Sequence, residues 1–498
     1  MNLQQRQEKI QAKRKKTPWR DFVRDICSWY NVNLYKNTGV ISRFPETERS
    51  WMIYKAKDYF SRFPDGPVGV DYDSGYSFFS QFQECFVNSP KIATLDYGMN
   101  DNAEFADTVY GARNVYISIS VWDNSENVLY SNMVFWDCKN VINSFQITAG
   151  SENIYYSKIV TGSYNIFYSK YIHNSQNILF CTNMIWCHDC YLCDGLENKS
   201  YCIRNQQHTK ENYHKYVIEQ KKSLSYDNLY DGISDVALNR IVDNCSGNSL
   251  AFCHNVEHGY FLSRVENGKN IFCGDGSPLA ERVYDTVDIA RVDDSYGYMG
   301  VGQNSSHVYC GANASTCHNI YYCYFMDSCS FCLGCIWLKN KSYCILNKQY
   351  TKEERYVKVD EIFTQMEKDW QLWEFFPASM NPFYFNDTAA YLIDPSFTKE
   401  EVTKLWYLRR DEPIKVDIPE WAITVKSNEL STFEWWKIGD GWEKIWTLDE
   451  TVCKRVILDE NGDAYRIIPM ELEFLQQYGL PLPRKHWLTR MKEIFCIN

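Results

Sequence analysis

The sequence predicts a mainly β protein: a parallel β-solenoid built as a tandem duplication with capping helices, flanked by small α/β terminal domains. Three observations predict this fold. Asparagines recur every 12 or 13 residues, small residues recur at fixed offsets from them, and one cysteine-rich segment occurs twice at a constant offset of 142 residues. Repeats this short are typical of stacked single coils, because helical repeats need about 34 residues.

The asparagine repeat sets the period of the first array. Its members are Asn102, Asn114, Asn127, Asn140, Asn153, Asn165 and Asn177, and Asp189 continues the series. The intervening positions are rich in Val, Ile, Tyr, Phe and Trp, which favour strands, so each unit should hold one or two short strands. We expect each asparagine to occupy a corner in the left-handed conformation, with its side chain bonded to the backbone.

Two series of small residues accompany the asparagines. The first comprises Ser118, Ser131, Ser144, Ser157, Ser169, Cys181 and Cys193, and the second Ser125, Cys138, Ser151, Ser163, Ser175 and Cys187. We expect both series to line narrow inward positions of the coil, with thiols replacing hydroxyls towards the end of the array. Bulky substitutions there should disrupt the coil.

The patterns predict six segments. They are an α/β lead-in with a basic arm (1–101), a first solenoid array (102–204), a capping helix and linker (205–238), a second array (239–347), a second capping helix (348–375) and a C-terminal α/β domain (376–498). Thr209 and Thr351 are the expected starts of the capping helices, which would cover unpaired strand edges. A last helix should begin at Pro469 and end before Gly479.

The repeated segment carries candidate metal ligands. They form two sets, Cys187, Cys190, Cys193 and Cys202, and Cys329, Cys332, Cys335 and Cys344. Four thiolates suffice for a tetrahedral structural zinc. However, strand residues three apart should point to opposite faces, and Cys181, Cys187 and Cys193 continue the serine series. A buried thiol ladder without a cofactor is therefore the favoured interpretation, while zinc, another soft metal and disulfides stay open.

No residue receives a catalytic role from the sequence. Asp285, Asp288, Asp293 and Asp294 lie close together, and two carboxylates at a suitable separation could hydrolyse a glycosidic bond. Acidic turn residues on a solvated edge account for the same cluster. The sequence contains no phosphate-binding glycine motif and no His-Glu-x-x-His motif.

Charge and composition restrict the class of partner. The net charge of -11 over 498 residues argues against a surface that binds nucleic acid throughout. A basic arm is the local exception, and it either reaches a polyanion or acidic partner or begins a solvated helix. Its residues are Arg6, Lys9, Lys13, Arg14, Lys15 and Lys16. We expect no membrane span and no signal peptide, which favours reduced thiols and a cytoplasmic or virion location.

Three segments resemble a known but uncharacterised group of proteins. Residues 334–354, which include Lys341-Ser-Tyr-Cys-Ile, residues 465–486 and residues 72–82 are similar to cysteine-rich repeat proteins of candidate-phyla bacteria and some giant viruses. The resemblance implies zinc ribbons made of cysteine pairs before and after the repeats. Here the matching regions keep single cysteines, Cys27, Cys453 and Cys496, which favours retention for shape over metal chemistry.

The sequence thus favours a non-enzymatic structural scaffold that docks with other structural proteins, as a minor capsid or virion component of a large virus would. One alternative is a carbohydrate-active solenoid enzyme that uses the aspartate cluster. The other is a zinc-binding interaction module that uses the two cysteine sets.

Overall fold

A computed structural model describes residues 3–14, 16–37, 39–46, 52–222, 224, 243–245, 247–251, 259–263, 269, 273–275, 286, 288–289, 292–293, 296–301, 305–411, 418–430 and 450–495. The chain forms two compact units, each made of two segments. The first unit comprises residues 1–95 and 238–410, and the second comprises residues 96–237 and 411–498. The predicted parallel β-solenoid is confirmed. The tandem duplication and the six-segment division stay predictions.

The first unit begins with helices and short strands. The helices are α1 (Leu3–Arg14), α2 (Trp19–Asp25), α3 (Ala56–Arg62) and α4 (Phe78–Asn88); the strands are β1 (Tyr35–Asn37), β2 (Val40–Ser42), β3 (Ile53–Tyr54) and β4 (Lys91–Ile92). Strands β1 and β2 form an antiparallel pair, and β3 and β4 a parallel one. Helix α4 begins at the N-cap Ser77, whose hydroxyl accepts from the Ser80 amide.

The predicted basic arm is helical in the structure. Most of it forms α1, in which Lys9 pairs with Glu367 at 2.6 Å and Lys13 pairs with Glu374. Arg14 is buried, and its guanidinium lies 3.9 Å from the Cys310 sulfur. The helical alternative is therefore the one that the structure shows. Contact with a polyanion stays a prediction.

The second unit contains the regular coils. Strands β5 (Phe105–Tyr110) and β6 (Arg113–Trp122) begin them. Two stacks of parallel strands follow. One contains β7 (Glu126–Leu129), β9 (Lys139–Ile142), β11 (Glu152–Tyr155), β13 (Tyr164–Phe167), β15 (Gln176–Leu179), β17 (His188–Tyr191) and β18 (Ser200–Ile203); the other contains β8 (Asn132–Val134), β10 (Phe145–Thr148), β12 (Lys158–Thr161), β14 (Lys170–His173) and β16 (Thr182–Ile185). Each regular coil thus holds two short strands, as the period predicts.

Left-handed backbone recurs at every third residue of a coil. In one 12-residue coil it occurs at Asn165, Tyr168, Tyr171 and Asn174, with φ between 46° and 58°. Each left-handed residue turns the chain through a corner, and the next residue points inwards. A coil therefore has four sides of three residues. The left-handed corner asparagines are confirmed, but the expectation that strand residues three apart face opposite ways is wrong.

The asparagine side chains bond to one another. Each amide donates to the side-chain carbonyl of the next asparagine along the stack, from Asn102 through Asn114, Asn127, Asn140, Asn153 and Asn165 to Asn177, at 2.8 to 3.0 Å. Asn177 then donates to the Asp189 carboxylate at 3.0 Å. The predicted bond to the backbone is replaced by this ladder, because adjacent coils bring equivalent corners within reach of one side chain.

A hairpin and a helix follow the last coil of the second unit. Strand β19 (Gln206–Gln207) pairs antiparallel with β18, and helix α5 (Lys210–Lys222) comes next. The Thr209 hydroxyl accepts from the Asn212 amide at 3.3 Å, as an N-cap does. Within this unit the ring of Tyr213 lies 6.0 Å from that of Tyr201. The helix expected after Thr209 is confirmed.

The first unit contains coils of the same kind. Their strands are β20 (Gly247–Ala251), β21 (Gly259–Ser263), β22 (Cys273–Asp275), β23 (Asp288–Ile289), β24 (Val292–Asp293), β25 (Tyr296–Val301), β26 (Ser305–Ser315), β27 (His318–Tyr321), β28 (Tyr324–Asp327), β29 (Cys344–Ile345) and β30 (Lys348–Gln349). Helices α6 (Lys352–Lys368), α7 (Ala389–Ile393) and α8 (Lys399–Lys404) follow. Thr351 and Glu354 form a capping box at the start of α6, which confirms that start.

The C-terminal segment packs along the coils of the second unit. It contains strands β31 (Thr424–Lys426), β32 (Val456–Leu458) and β33 (Ala464–Tyr465) and helices α9 (Pro469–Tyr478) and α10 (Trp487–Phe495). The Phe474 ring of α9 lies 6.0 Å from Tyr155, and the Phe495 ring of α10 lies 4.4 Å from Phe145. Helix α9 has Pro469 in its first turn and ends at the left-handed Gly479, as predicted.

Candidate functional site

Four columns of inward side chains fill the coils of the second unit. Two columns are small, as predicted; the other two are apolar. The first apolar column contains Val128, Val141, Ile154, Ile166, Ile178, Cys190 and Cys202, and the second contains Val134, Ile147, Val160, Ile172, Met184 and Leu196. Apolar and small columns alternate around the coil, so that large side chains meet across small ones.

The small columns bond to the backbone in a regular way. The Ser157 hydroxyl donates to the Tyr155 carbonyl at 2.9 Å and accepts from the Ser169 amide at 3.1 Å in the next coil. The Cys181 thiol does the same, donating to the Leu179 carbonyl at 3.3 Å and accepting from the Cys193 amide at 3.3 Å. Thiols therefore take over the hydrogen bonds of the hydroxyls.

The first candidate metal set converges in the coil interior. Cys187, Cys190 and Cys193 lie on consecutive sides of one coil, and Cys202 lies beside Cys190 in the next coil as its parallel partner. The side chain of Cys190 belongs to the same buried core as the other three. All four side chains are buried. We call these four residues the first thiol cluster.

The second set is arranged in the same way in the first unit. There Cys332 belongs to the same buried core as Cys329, Cys335 and Cys344, and all four are buried. We call these residues the second thiol cluster. In both clusters the central thiol belongs to an apolar column and its two neighbours in the same coil belong to small columns.

Hydrogen bonds shift the acidity of the first thiol cluster. The neighbouring thiols of Cys181 and Cys190 lower the pKa of Cys193, and that of Cys190 lowers the pKa of Cys187. Cys187 and Cys193 in turn raise the pKa of Cys190.

The second thiol cluster shows the same alternation. Hydrogen bonds from Cys317 and Cys332 lower the pKa of Cys329. Burial alone would raise the pKa of Cys335, but hydrogen bonds from Cys323 and Cys332 lower it. Bonds to its neighbours and burial raise the pKa of Cys332.

In each thiol cluster the central position is occupied by a cysteine side chain, so the other thiols do not enclose an open space for a metal ion. As the side chains stand, no group of three or more His, Cys, Asp or Glu residues in the described ranges is arranged to hold a metal ion. The cysteines of both clusters are free thiols and form no disulfide.

The predicted aspartate cluster lies mostly beyond the described residues. Asp285 and Asp294 lie outside them, and for Asp288 and Asp293 only the backbone is described. A carboxylate pair at this position therefore stays a prediction from the sequence.

Sequence reasoning missed an exposed corner of the second unit. Trp136 is 43% exposed and Trp186 is 58% exposed, and both occupy left-handed corner positions of the same column. The exposed positions between them are small or polar, at Ala149, Gly162 and Asn174. We call this surface the tryptophan corner. The 12-to-13-residue period, followed from Trp136 to Trp186, is the signal that could have identified it.

Within the described part of the chain, the helices lack the combination of length and apolar character that a membrane crossing requires. Comparison of the chain with protein-family models, with curated proteins and with solved structures found no match.

Proposed function

We propose that this protein is a non-enzymatic structural component of a large assembly such as a virion shell. The tryptophan corner is the observation that carries the proposal. It marks an exposed aromatic surface whose left-handed backbone costs the free chain stability.

The cost follows from the backbone. A non-glycine residue in the left-handed conformation costs roughly 1 to 2 kcal/mol. Bulky residues such as Tyr168 and Tyr171 occupy such corners elsewhere in the coils, but they are buried, so packing offsets the strain. Trp136 and Trp186 are about half exposed and gain less from packing than these buried tyrosines do.

The spacing suits a protein partner. The two tryptophans are four coils apart, about 19 Å at roughly 4.8 Å per coil. Exposed tryptophans are enriched at the centres of protein interfaces, where they fill pockets of the partner. The flat ladder of asparagine corners on the same stack is rigid, because consecutive side chains are hydrogen bonded. A stiff stack with two protruding anchors is what an assembly scaffold requires.

The proposal can be tested by replacing Trp136 and Trp186 with asparagine, a residue type already present in the same column. Trp136→Asn and Trp186→Asn, which introduce the residue type found at Asn174, should retain the fold and raise the free energy of unfolding by about 1 kcal/mol. Incorporation of the tagged chain into the native assembly should fall at least tenfold. The control is Tyr164→Gln, which replaces a 40% exposed aromatic residue by the Gln176 type of the next coil. Normal incorporation of both tryptophan variants would overturn the proposal.

A further inference from the structure

The first apolar column changes its residue type at one place only. It carries Val or Ile at every regular coil up to Ile178, and then Cys190 and Cys202. The matching column of the first unit reads Val308, Ile320, Cys332 and Cys344. In both units the change begins in a coil whose two neighbouring sides also carry cysteines, although the coil before it in the first unit keeps Ile320 between Cys317 and Cys323.

The replacement of serines by cysteines in the small columns does not explain why Val or Ile gives way to Cys in the apolar column. Cys181, Cys187 and Cys193 continue small columns, where hydroxyls and thiols make the same hydrogen bonds. Cys190 and Cys202 instead take the place of buried aliphatic residues. Replacing a buried Ile by a smaller side chain typically costs about 1 kcal/mol or more in lost packing. The same costly exchange occurs twice, each time completing a set of four thiols.

We propose that each thiol cluster binds one zinc ion through its four cysteine sulfurs. The thiols already lie in one buried interior, three from one coil and the fourth from the next. Binding requires the four Cβ–Sγ bonds to turn towards a common centre. Zinc bound by four thiolates is tetrahedral and needs no other ligand, so a closed interior suits it. The thiol protons leave to solvent as the metal enters.

A buried cation near the second thiol cluster supports the proposal. Arg355 is 2% exposed, and its Nε and Nη2 have no hydrogen-bond partner among the described residues. It lies close enough to Cys332 and Cys323 for their charges to interact with its guanidinium. Four thiolates outweigh the charge of one zinc ion, so the loaded site is anionic. Arg355 is then its counter-ion, which a cluster of neutral thiols would not need.

The test measures zinc in the full-length chain purified without chelators from zinc-supplied cells. We expect about two zinc ions per chain by elemental analysis. Cys190→Ile and Cys332→Ile should each lose one, and they should still fold, because isoleucine is the residue that the column carries at Ile178 and Ile320. Circular dichroism checks the fold independently of metal content.

The matched control is Cys138→Ser. It replaces a buried inward thiol that lies outside both clusters by the residue type of its own column, Ser151. This variant should retain both zinc ions. Cobalt substituted for zinc should give the absorption of tetrahedral cobalt with thiolate ligands, which the isoleucine variants should show at half intensity. Wild-type protein without stoichiometric zinc would overturn the proposal, and so would zinc that is unaffected by both isoleucine substitutions.

Discussion

The side-chain amide of Asn140 donates a hydrogen bond of 2.9 Å to the side-chain carbonyl of Asn153 in the next coil. Asn153 in turn donates to Asn165 at 3.0 Å. Each asparagine thus adopts the left-handed conformation of the corner and joins one coil to the next. The ladder is a source of stability that can be measured one residue at a time.

Asn153→Ala should lower the free energy of unfolding by about 2 to 4 kcal/mol. It removes two side-chain hydrogen bonds, worth about 1 kcal/mol each, and places alanine in the left-handed region at φ 59°. Asn153→Gly removes the same bonds without the strain and should cost about 1 kcal/mol less. Denaturant unfolding measures both. Equal losses would contradict the role of the left-handed corner.

The small columns should accept thiols and reject branched side chains. Ser157→Cys should change the free energy of unfolding by less than about 1 kcal/mol, because Cys181 makes the same two hydrogen bonds further along the same column. Ser157→Val should cost at least about 2 kcal/mol, since it overfills the column and leaves the Ser169 amide without its acceptor. If denaturant unfolding gives the valine variant the same stability as wild type, the column assignment is wrong.

A buried ion pair should fix the two C-terminal helices of the second unit. Arg490 and Glu471 are both fully buried, 2.7 Å apart, and the guanidinium lies over the Tyr130 ring. Glu471→Leu should cost about 3 to 5 kcal/mol, because it leaves a buried charge unpaired. The double variant Glu471→Leu with Arg490→Met should recover most of that loss. A double variant as unstable as the single one, in denaturant unfolding, would refute this assignment.

The contribution of Lys91 to the stability of the first unit should rise with pH above neutrality. Burial lowers the pKa of Lys91 from 10.5 to about 7, and its ammonium donates to the backbone carbonyl of Ser89 at 2.6 Å. Between these two values the unfolded chain binds a proton that the folded chain lacks. Lys91 should therefore add at most about 1.4 kcal/mol per pH unit to the free energy of unfolding over this range.

Hydrogen exchange of peptides that cover β4, measured from pH 7 to 10 in wild type and Lys91→Met, tests this contribution after correction for the intrinsic exchange rate. The difference in stability between the two proteins should grow with pH, because methionine keeps the apolar stem without the titratable group. The same pH dependence in wild type and variant would assign the effect to other residues.

The solenoid can be predicted from the sequence because residue types suited to corners and to interior positions recur every 12 or 13 residues. Asn102 to Asp189 mark the corners, and the serine series marks two of the four inward columns. The four-sided coil could not be predicted, because Tyr168 and Tyr171 are bulky and nothing in their type indicates left-handed backbone. Their burial in the folded protein compensates for that backbone strain. Sequence periodicity alone does not reveal such packing.

The thiol clusters could be predicted as residue sets but not as arrangements. Alternating strand faces would separate Cys187, Cys190 and Cys193. The left-handed corners at Asp189 and Leu192 instead bring them to the same interior. The tryptophan corner could not be predicted because Trp136 and Trp186 are separated by 50 residues in the sequence and come to lie on one column only through the coiling of the chain.

Cross-linking mass spectrometry of the purified native assembly tests the structural role most directly. Lys139 is exposed beside the tryptophan corner and supplies the reactive amine. We predict that the chain is a stoichiometric component of the assembly and that Lys139 is linked to a different protein of it. Recovery of the chain only as a free monomer, with no intermolecular link from Lys139, would contradict the structural role.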